Sequence, residues 1–411
     1  MFDSSLHAKT LARQFRRSDF HPSSWNVALA DKESIIADAL SLARVGFDRV
    51  SLRQNSLGDK TIYRHAAIGE ALLIRHVADG VRRITGVRQS DRKGIVKSLV
   101  AVVGEGIPFG VLKFDIRSFY ESVDPFEIIA NLRADSAFSR QSVNLLESFF
   151  DALRRQGIRG LPRGIGLSAT LSEYMLRNFD RAIAAHPGIT FYSRYVDDGI
   201  IVASPQQDLD DMRAFVSAAL PQSLELHRAK TKAYVFGRYV RGNPGIIERE
   251  FDFLGYNLKV SEIIQIDQSR LRNVELDISA KKISKIKRRM AKAILAFNDG
   301  GNYAHLISRT KLLTSNFGYI DKSSGQQRFS GLRYNYGLID PHQSSALIEL
   351  DRFLTNVIKS PHPGNRLRPN LSEAQARNLL GFGFKRGFLR NRFFTFREDH
   401  LRQMIGCWAH A

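Results

Sequence analysis

The sequence predicts a mixed α/β protein of several subdomains: a central region of short strands interleaved with helices, between two basic, helix-rich flanks. Three observations carry this. The chain has 411 residues, too many for one simple core. From residue 109, β-rich runs bounded by glycine alternate with segments of helical period. Sixty-one Lys and Arg stand against 41 Asp and Glu, a formal net charge of +20. Such an excess suits a polyanionic partner, because each phosphate neutralised releases a condensed counterion; a generally basic, ribosome-like surface gives the same balance.

In order along the chain, DKESIIADALSLARVGF reads as a helix capped by Asp31, and TIYRHAAIGEALLIRHVADGVRRITG as a second with arginines interspersed. SDRKGIVKSLVAVVGEG reads as a third, capped at Ser90 or Asp91. FGVLKFDI is a buried strand ending near Asp115. Helices follow over 124–133 and 139–156, then the glycine-rich loop GIRGLPRGIG and the long helix LSATLSEYMLRNFDRAIAA. ITFYSRYV and DGIIVAS form a hairpin with Asp197 and Asp198 at its junction, and DLDDMRAFVSAALPQ is a helix. KAYVF, EREFDFLGYNLKV and EIIQID complete a set of short strands.

After 275 the chain turns helical and basic again. AKKISKIKRRMAK holds seven Lys or Arg and no acid, with Ile283, Ile286 and Met290 spaced to give one apolar face. The tail FGFKRGFLRNRFFTFR alternates Phe with Arg and Lys. It reads as the core of a small helical region with arginines outside, stacking on single-stranded bases being the alternative. SPHPGNRLRPN is the clearest loop. The single cysteine, Cys407, excludes a disulfide framework and a cysteine-based zinc site. MFDSSLHAKTLARQF lacks the apolar core of a signal peptide, and no apolar run of about 18 residues exists to span a membrane. The expectation is a cytoplasmic protein with no membrane partner.

Adjacent aspartates at a strand junction are costly to bury without a cation or donors to compensate them. Taken alone, Asp-Asp-Gly is also good turn chemistry. Asp115 alters the balance. It ends an apolar strand 82 residues before Asp197, and strand ends on one sheet edge are where α/β folds place reactive groups. Three converging carboxylates suit two Mg²⁺ ions, hard cations that prefer oxygen ligands, and such a pair serves phosphoryl transfer.

KFDIRSFYESVD, LPRGIGLSATLSEYMLRNFD, FYSRYVDDGIIVAS, LHRAKTKAYVF and FDFLGY occur in the order and spacing of reverse transcriptases. Over about residues 60–320 the sequence resembles the bacterial reverse transcriptases related to group II introns and retrons. Within these it looks most like the defence-associated, antiphage members. The resemblance implies a right-hand polymerase: 1–108 as N-terminal extension and helical fingers, 109–260 as a palm, with part of the fingers, whose antiparallel sheet carries the YVDD hairpin, 261–325 as a helical thumb, and 326–411 as a basic helical C-terminal region.

Residue by residue, the resemblance implies that Asp115 and Asp197 are the principal metal ligands, with Asp198 auxiliary and the Ile116 carbonyl completing a shell around two Mg²⁺, or Mn²⁺ in their place. Tyr120 matches the steric gate that excludes the ribonucleotide 2′-hydroxyl. Arg163, Gly164 and Ser168 match the loop and helix start that face the incoming nucleotide, with Ser168 as a helix cap. Familiar members carry Gln where this chain has Arg163 and Pro where it has Ala169, and an arginine cannot accept hydrogen bonds. Lys230 matches the general acid toward pyrophosphate, and Phe253, Leu254, Gly255 and Tyr256 match the primer grip. Arg88, Arg92 and Lys97 are placed to reach the triphosphate, and Lys282, Lys285, Arg288 and Arg289 to face a nucleic-acid backbone.

The implied activity is RNA-directed DNA synthesis from dNTPs in antiphage defence. Its implied partners are a noncoding RNA template, the DNA product, and either further copies of the chain or a companion defence protein. Three alternatives stay open: untemplated or protein-primed DNA synthesis, RNA-dependent RNA synthesis, and an idle RNA-binding or splicing cofactor.

Overall fold

The computed structural model describes residues 5–22, 25–57, 60–237, 249–261, 264–266, 269–321, 327–360 and 367–408. They fall into two units, Met1–Val240 and Arg241–Ala411.

In the first unit, helices α1 (Ala8–Ala12) and α2 (Lys32–Val45) lead to an antiparallel hairpin of β1 (Leu52–Leu57) and β2 (Lys60–His65). The hairpin corrects the expected helix from Thr61. Thr61, Ile62 and Tyr63 are β-branched or aromatic and favour a pleated strand, and α3 (Ile68–Thr85) starts only after Ala67. Asp31 stands at the N-cap of α2 without a side-chain bond there. Asp91 does cap α4 (Arg92–Val103), accepting from the N–H groups of Lys93 and Gly94.

Next come β3 (Phe109–Asp115), the one-turn helix α5 (Phe119–Ser122), α6 (Pro125–Ala134), α7 (Arg140–Arg155) and α8 (Gly166–Ala184). The hairpin of β4 (Ile189–Tyr195) and β5 (Asp198–Ala203), then α9 (Leu209–Ala219) and β6 (Lys232–Phe236), complete the unit. The sheet runs β4-β5-β3-β6, antiparallel throughout. Its central strands bury Val111, Leu112, Phe114, Ile200, Ile201 and Val202. Phe149 and Phe150 of α7 and Leu171, Leu176 and Phe179 of α8 join Leu112, Phe114 and Ile201 in one core. Gly199 lies opposite Phe114, and a Cβ there would stand 2.1 Å from the Phe114 ring. That position admits no side chain while the ring stays where it is.

In the second unit, β7 (Arg249–Phe253), β8 (Tyr256–Val260), β9 (Ile264–Ile266), β10 (Ser269–Leu271) and β11 (Val274–Ile278) form a β11-β8-β7 sheet and a small β9–β10 pair. Then follow α10 (Ala280–Asn298), α11 (Tyr303–Thr314), β12 (Asn316–Ile320), β13 (Gln327–Gly331), α12 (Leu332–Tyr336), α13 (Ser345–Ile358), α14 (Glu373–Leu380), α15 (Phe384–Leu389), β14 (Phe393–Phe396) and α16 (Glu398–Ile405). The C-terminal region is therefore not purely helical. β14 pairs parallel with β12, which pairs antiparallel with β13. Asn391, at φ 46°, turns the chain out of α15, and the β-forming run Phe-Phe-Thr-Phe then takes the sheet edge. Phe384 and Phe388 are core residues, as the tail reading expected, whereas Phe393 is exposed. Most of SPHPGNRLRPN, with Glu262, Ile263 and Asp267 of EIIQID, lies outside the described residues. Among those described, no helix is long and apolar enough to cross a membrane.

Candidate active site

Asp115 ends β3, Asp198 begins β5, and the two are direct cross-strand partners. The Ile116 N–H donates to the Asp197 carbonyl at 3.1 Å. That bond makes Asp115/Asp198 a non-hydrogen-bonded pair, the closer type, with Cα atoms about 4.5 Å apart and both side chains on one sheet face. Tyr195 pairs with Asp198, leaving Val196 and Asp197 as the two turn residues. The turn thus sits one residue earlier than Asp-Asp-Gly chemistry suggests. Val196 has φ 60°, a costly conformation for a β-branched residue, of the kind that persists at functional sites when its surroundings enforce it.

Like charges set directly opposite one another repel. Burial, then the charges of Asp197 and Asp115, pushes the Asp198 carboxyl up to about 6. Asp197 is also raised, first by burial and further by Asp115, while its backbone hydrogen bond, Lys60 and Lys230 oppose the rise. Lys230 sits on Asp115 itself, its Nζ 2.9 and 3.0 Å from the two carboxylate oxygens.

Three mutually repelling oxygen donors on adjoining strand ends fit a hard divalent cation such as Mg²⁺ by donor chemistry. The Ile116 N–H points toward the turn, and an extended backbone directs its carbonyl to the same side. Among the described residues, however, no group of three or more His, Cys, Asp or Glu stands gathered as a ready metal site. The Lys230 ammonium must leave Asp115 before that carboxylate can serve as a ligand.

Sequence reasoning overlooked the group that holds the turn. Arg194, in β4, is almost fully buried. Its Nη1 donates to the Val196 carbonyl at 2.8 Å, its Nε and Nη2 donate to Asp180 at 2.8 and 2.7 Å, and Nη2 also reaches Glu173 at 2.7 Å. Tyr192 donates to the same Asp180 at 2.6 Å. Burial opposes the Arg194 charge, but the Asp180 and Glu173 carboxylates outweigh it and keep the guanidinium charged. Both turn carbonyls are therefore caught, Val196 by Arg194 and Asp197 by Ile116. The available signal was the seven-residue spacing of Glu173 and Asp180, two turns apart on one face of α8.

Of the residues expected to face a nucleotide, Tyr120 lies in α5 and Arg163 stacks over its ring at 4.7 Å. Ser168 does not cap α8. Ile165 is the N-cap, and the buried Ser168 hydroxyl donates to the Pro162 carbonyl at 2.7 Å, closing the loop on itself. Gly164, at φ 94°, lies so close to β2 that a Cβ would stand 2.5 Å from Ile62. Arg88 and Arg92 lie just before and at the start of α4, and Lys97 lies on its exposed face. The lysines that act on Asp197 are Lys60 of β2, which the sequence reading did not single out, and Lys230.

In the second unit, Phe253-Leu254-Gly255-Tyr256 forms the β7–β8 turn, with Leu254 at φ 47° and Gly255 at φ 81°. Two positive φ values are the signature of the tight type I′ hairpin. Phe253 and Tyr256 are buried, and Gly255 accepts from the Ser279 N–H at 3.1 Å, tying the turn to the start of α10. On α10, Lys282, Lys285 and Arg288 are exposed. Arg289, then burial, then Lys282 and Arg288 depress Lys285, the mark of a cation cluster suited to a polyanion. Arg289 itself is half-buried against Trp408, at 5.4 Å, and does not belong to the open face.

The acidic sheet edge is thus flanked by lysines and lies in an antiparallel sheet backed by helices. Residues 108–258, which carry this sheet edge, match the family described as Reverse transcriptase (RNA-dependent DNA polymerase). Among solved structures, apo telomerase from Candida tropicalis, truncated from its C-terminal domain, aligns at 11% identity and a TM-score of 0.35, over 55% of this chain and 58% of that one. No curated protein matches.

Proposed function

We propose that the protein extends a primer 3′-hydroxyl with dNTPs on an RNA template, using two divalent metal ions. The observation that carries this is the register pairing of Asp115 with Asp198 beside the pinned Asp197 turn. Bound there, the metal ions would activate the attacking hydroxyl and neutralise charge on the transferred phosphate. The chain's own residues do the rest. Asp115, Asp197, Asp198 and the Ile116 carbonyl would hold the cations, and Tyr120 would border the sugar. Lys230, once off Asp115, carries a proton toward the leaving pyrophosphate. The basic face of α10 accompanies the nucleic-acid backbone, and the β7–β8 turn supports the primer end.

The resemblance of the SFYES and RGIGLSATLSE segments to antiphage reverse transcriptases supports a role in bacterial defence with an associated noncoding RNA, and with further copies of the chain or a companion protein. Asp197→Asn should abolish dNTP incorporation while leaving RNA binding within about twofold. Incorporation at the wild-type rate in that variant would refute the assignment. Product made after complete RNase treatment would instead favour untemplated synthesis.

A further inference from the structure

Arg163 occupies a position where a neutral, hydrogen-bonding residue is expected, and its surroundings give it another task. Its guanidinium lies over the Tyr120 ring at 4.7 Å. One edge is held by Glu121, the residue next to Tyr120: Nε donates to Oε1 at 2.6 Å and Nη2 to Oε2 at 2.9 Å. A two-bond fork of this kind fixes the plane of the guanidinium. With Glu121 about half-exposed, the ion pair orients the group more than it stabilises the fold.

The rest of the Tyr120 ring is bounded too. Phe119 meets it edge-on at 5.4 Å. The loop bearing Arg163 is fastened at both ends. The Leu161 N–H donates to the Tyr120 carbonyl at 2.7 Å, and the Tyr63 N–H of β2 donates to the Arg163 carbonyl at 2.7 Å. Gly160 and Gly164, both at positive φ, permit these approaches; a Cβ on Gly160 would stand 2.3 Å from the Tyr120 carbonyl oxygen.

We propose that Arg163 is a positioning residue for Tyr120: clamped by Glu121, it lies on the aromatic ring and sets how strictly the site sorts deoxyribonucleotides from ribonucleotides. The proposal rests on Tyr120 acting as the sugar gate. A ring free to rotate leaves room for a 2′-hydroxyl, whereas a ring covered on one face by a fixed guanidinium does not. Lysine cannot replace it, because an ammonium offers neither the plane nor the fork.

The test measures kcat/KM for a dNTP and its matching rNTP in wild type, Tyr120→Ala, Arg163→Ala, Arg163→Lys, Glu121→Gln and the Tyr120→Ala/Arg163→Ala double variant. Tyr120→Ala should lower the dNTP/rNTP ratio most. Arg163→Ala and Arg163→Lys should each lower it roughly five- to thirtyfold, the range a half-buried cation–π contact supports. Glu121→Gln keeps the arginine and should lower the ratio less. The double variant should match Tyr120→Ala alone, since the arginine acts through the ring. If Tyr120→Ala lowers the ratio while the Arg163 and Glu121 variants leave it unchanged, the clamp is wrong and the gate stands. An unchanged ratio in Tyr120→Ala overturns both. A loss of base-pairing fidelity in Arg163→Ala at constant sugar selectivity would overturn the proposal in favour of template contact.

Discussion

Lys230 holds both carboxylate oxygens of Asp115, at 2.9 and 3.0 Å, across 115 residues of sequence. Its side chain is 55% exposed while that of Asp115 is 9% exposed. An ion pair with one partner in solvent is weak, so a divalent cation can displace it. Lys230→Met should therefore tighten Mn²⁺ binding severalfold, measured calorimetrically. It should also slow incorporation by about 10²- to 10⁴-fold, the usual contribution of a positioned acid. An unaltered kcat would remove Lys230 from the chemistry.

Asp198 links the site to pH. With its carboxyl raised to about 6 by burial and by Asp197 and Asp115, the folded state binds that proton more tightly than the unfolded chain. Ionised Asp198 thus weakens the metal-free protein above about pH 6, and the penalty fades as pH falls through 6 toward 4. In EDTA, Asp198→Asn should be more stable than wild type at pH 8, on the order of 2 kcal/mol, and the gap should shrink to well under half of that at pH 4.5. Denaturant titrations at both pH values would show it, and a gap independent of pH would contradict it.

Arg194 should matter to both fold and catalysis. Replacement by Leu strands Asp180 and Glu173 without their cation and frees the Val196 carbonyl. Breaking a buried pair in this way costs about 3–5 kcal/mol. Arg194→Lys keeps the charge but cannot span three partners, so the turn loosens. It should fold, with a lower melting temperature and incorporation reduced at least tenfold. Wild-type incorporation by that variant would show that the turn holds without the clamp.

Gly199→Ala drives a methyl into the Phe114 ring. Overpacking of this kind costs roughly 1–3 kcal/mol. Because the ring is the obstacle, Phe114→Leu in the same chain should recover part of the loss, a coupling that unfolding curves of the single and double variants would quantify. Simple additivity would point to a cause other than the ring.

Much of the fold was legible because it is local. The apolar run ending in Asp115, the helical periods of α7 and α8 and the hairpin around YVDD are each written within about twenty residues. β2 was missed because its Thr-Ile-Tyr run is continuous with a strong helical pattern, and β1, mostly polar, shows its strand character only when paired with β2. β14 was missed because alternating Phe and Arg also fits a helix, and only β12 supplies the edge it joins.

The residue types and spacing of the acidic motif were determined by the sequence alone: a carboxylate at one strand end and two more 82 and 83 residues later. Tertiary structure alone decided which of them face each other, that Lys230 sits on Asp115, that Arg194 holds the turn and that Arg163 lies on Tyr120. Those contacts join residues brought together by the sheet register and by the packing of α8 and the 160–164 loop. A buried charge such as that of Arg194 or Asp115 needs its partner because burial makes an unpaired charge expensive, and burial is a property of the folded chain.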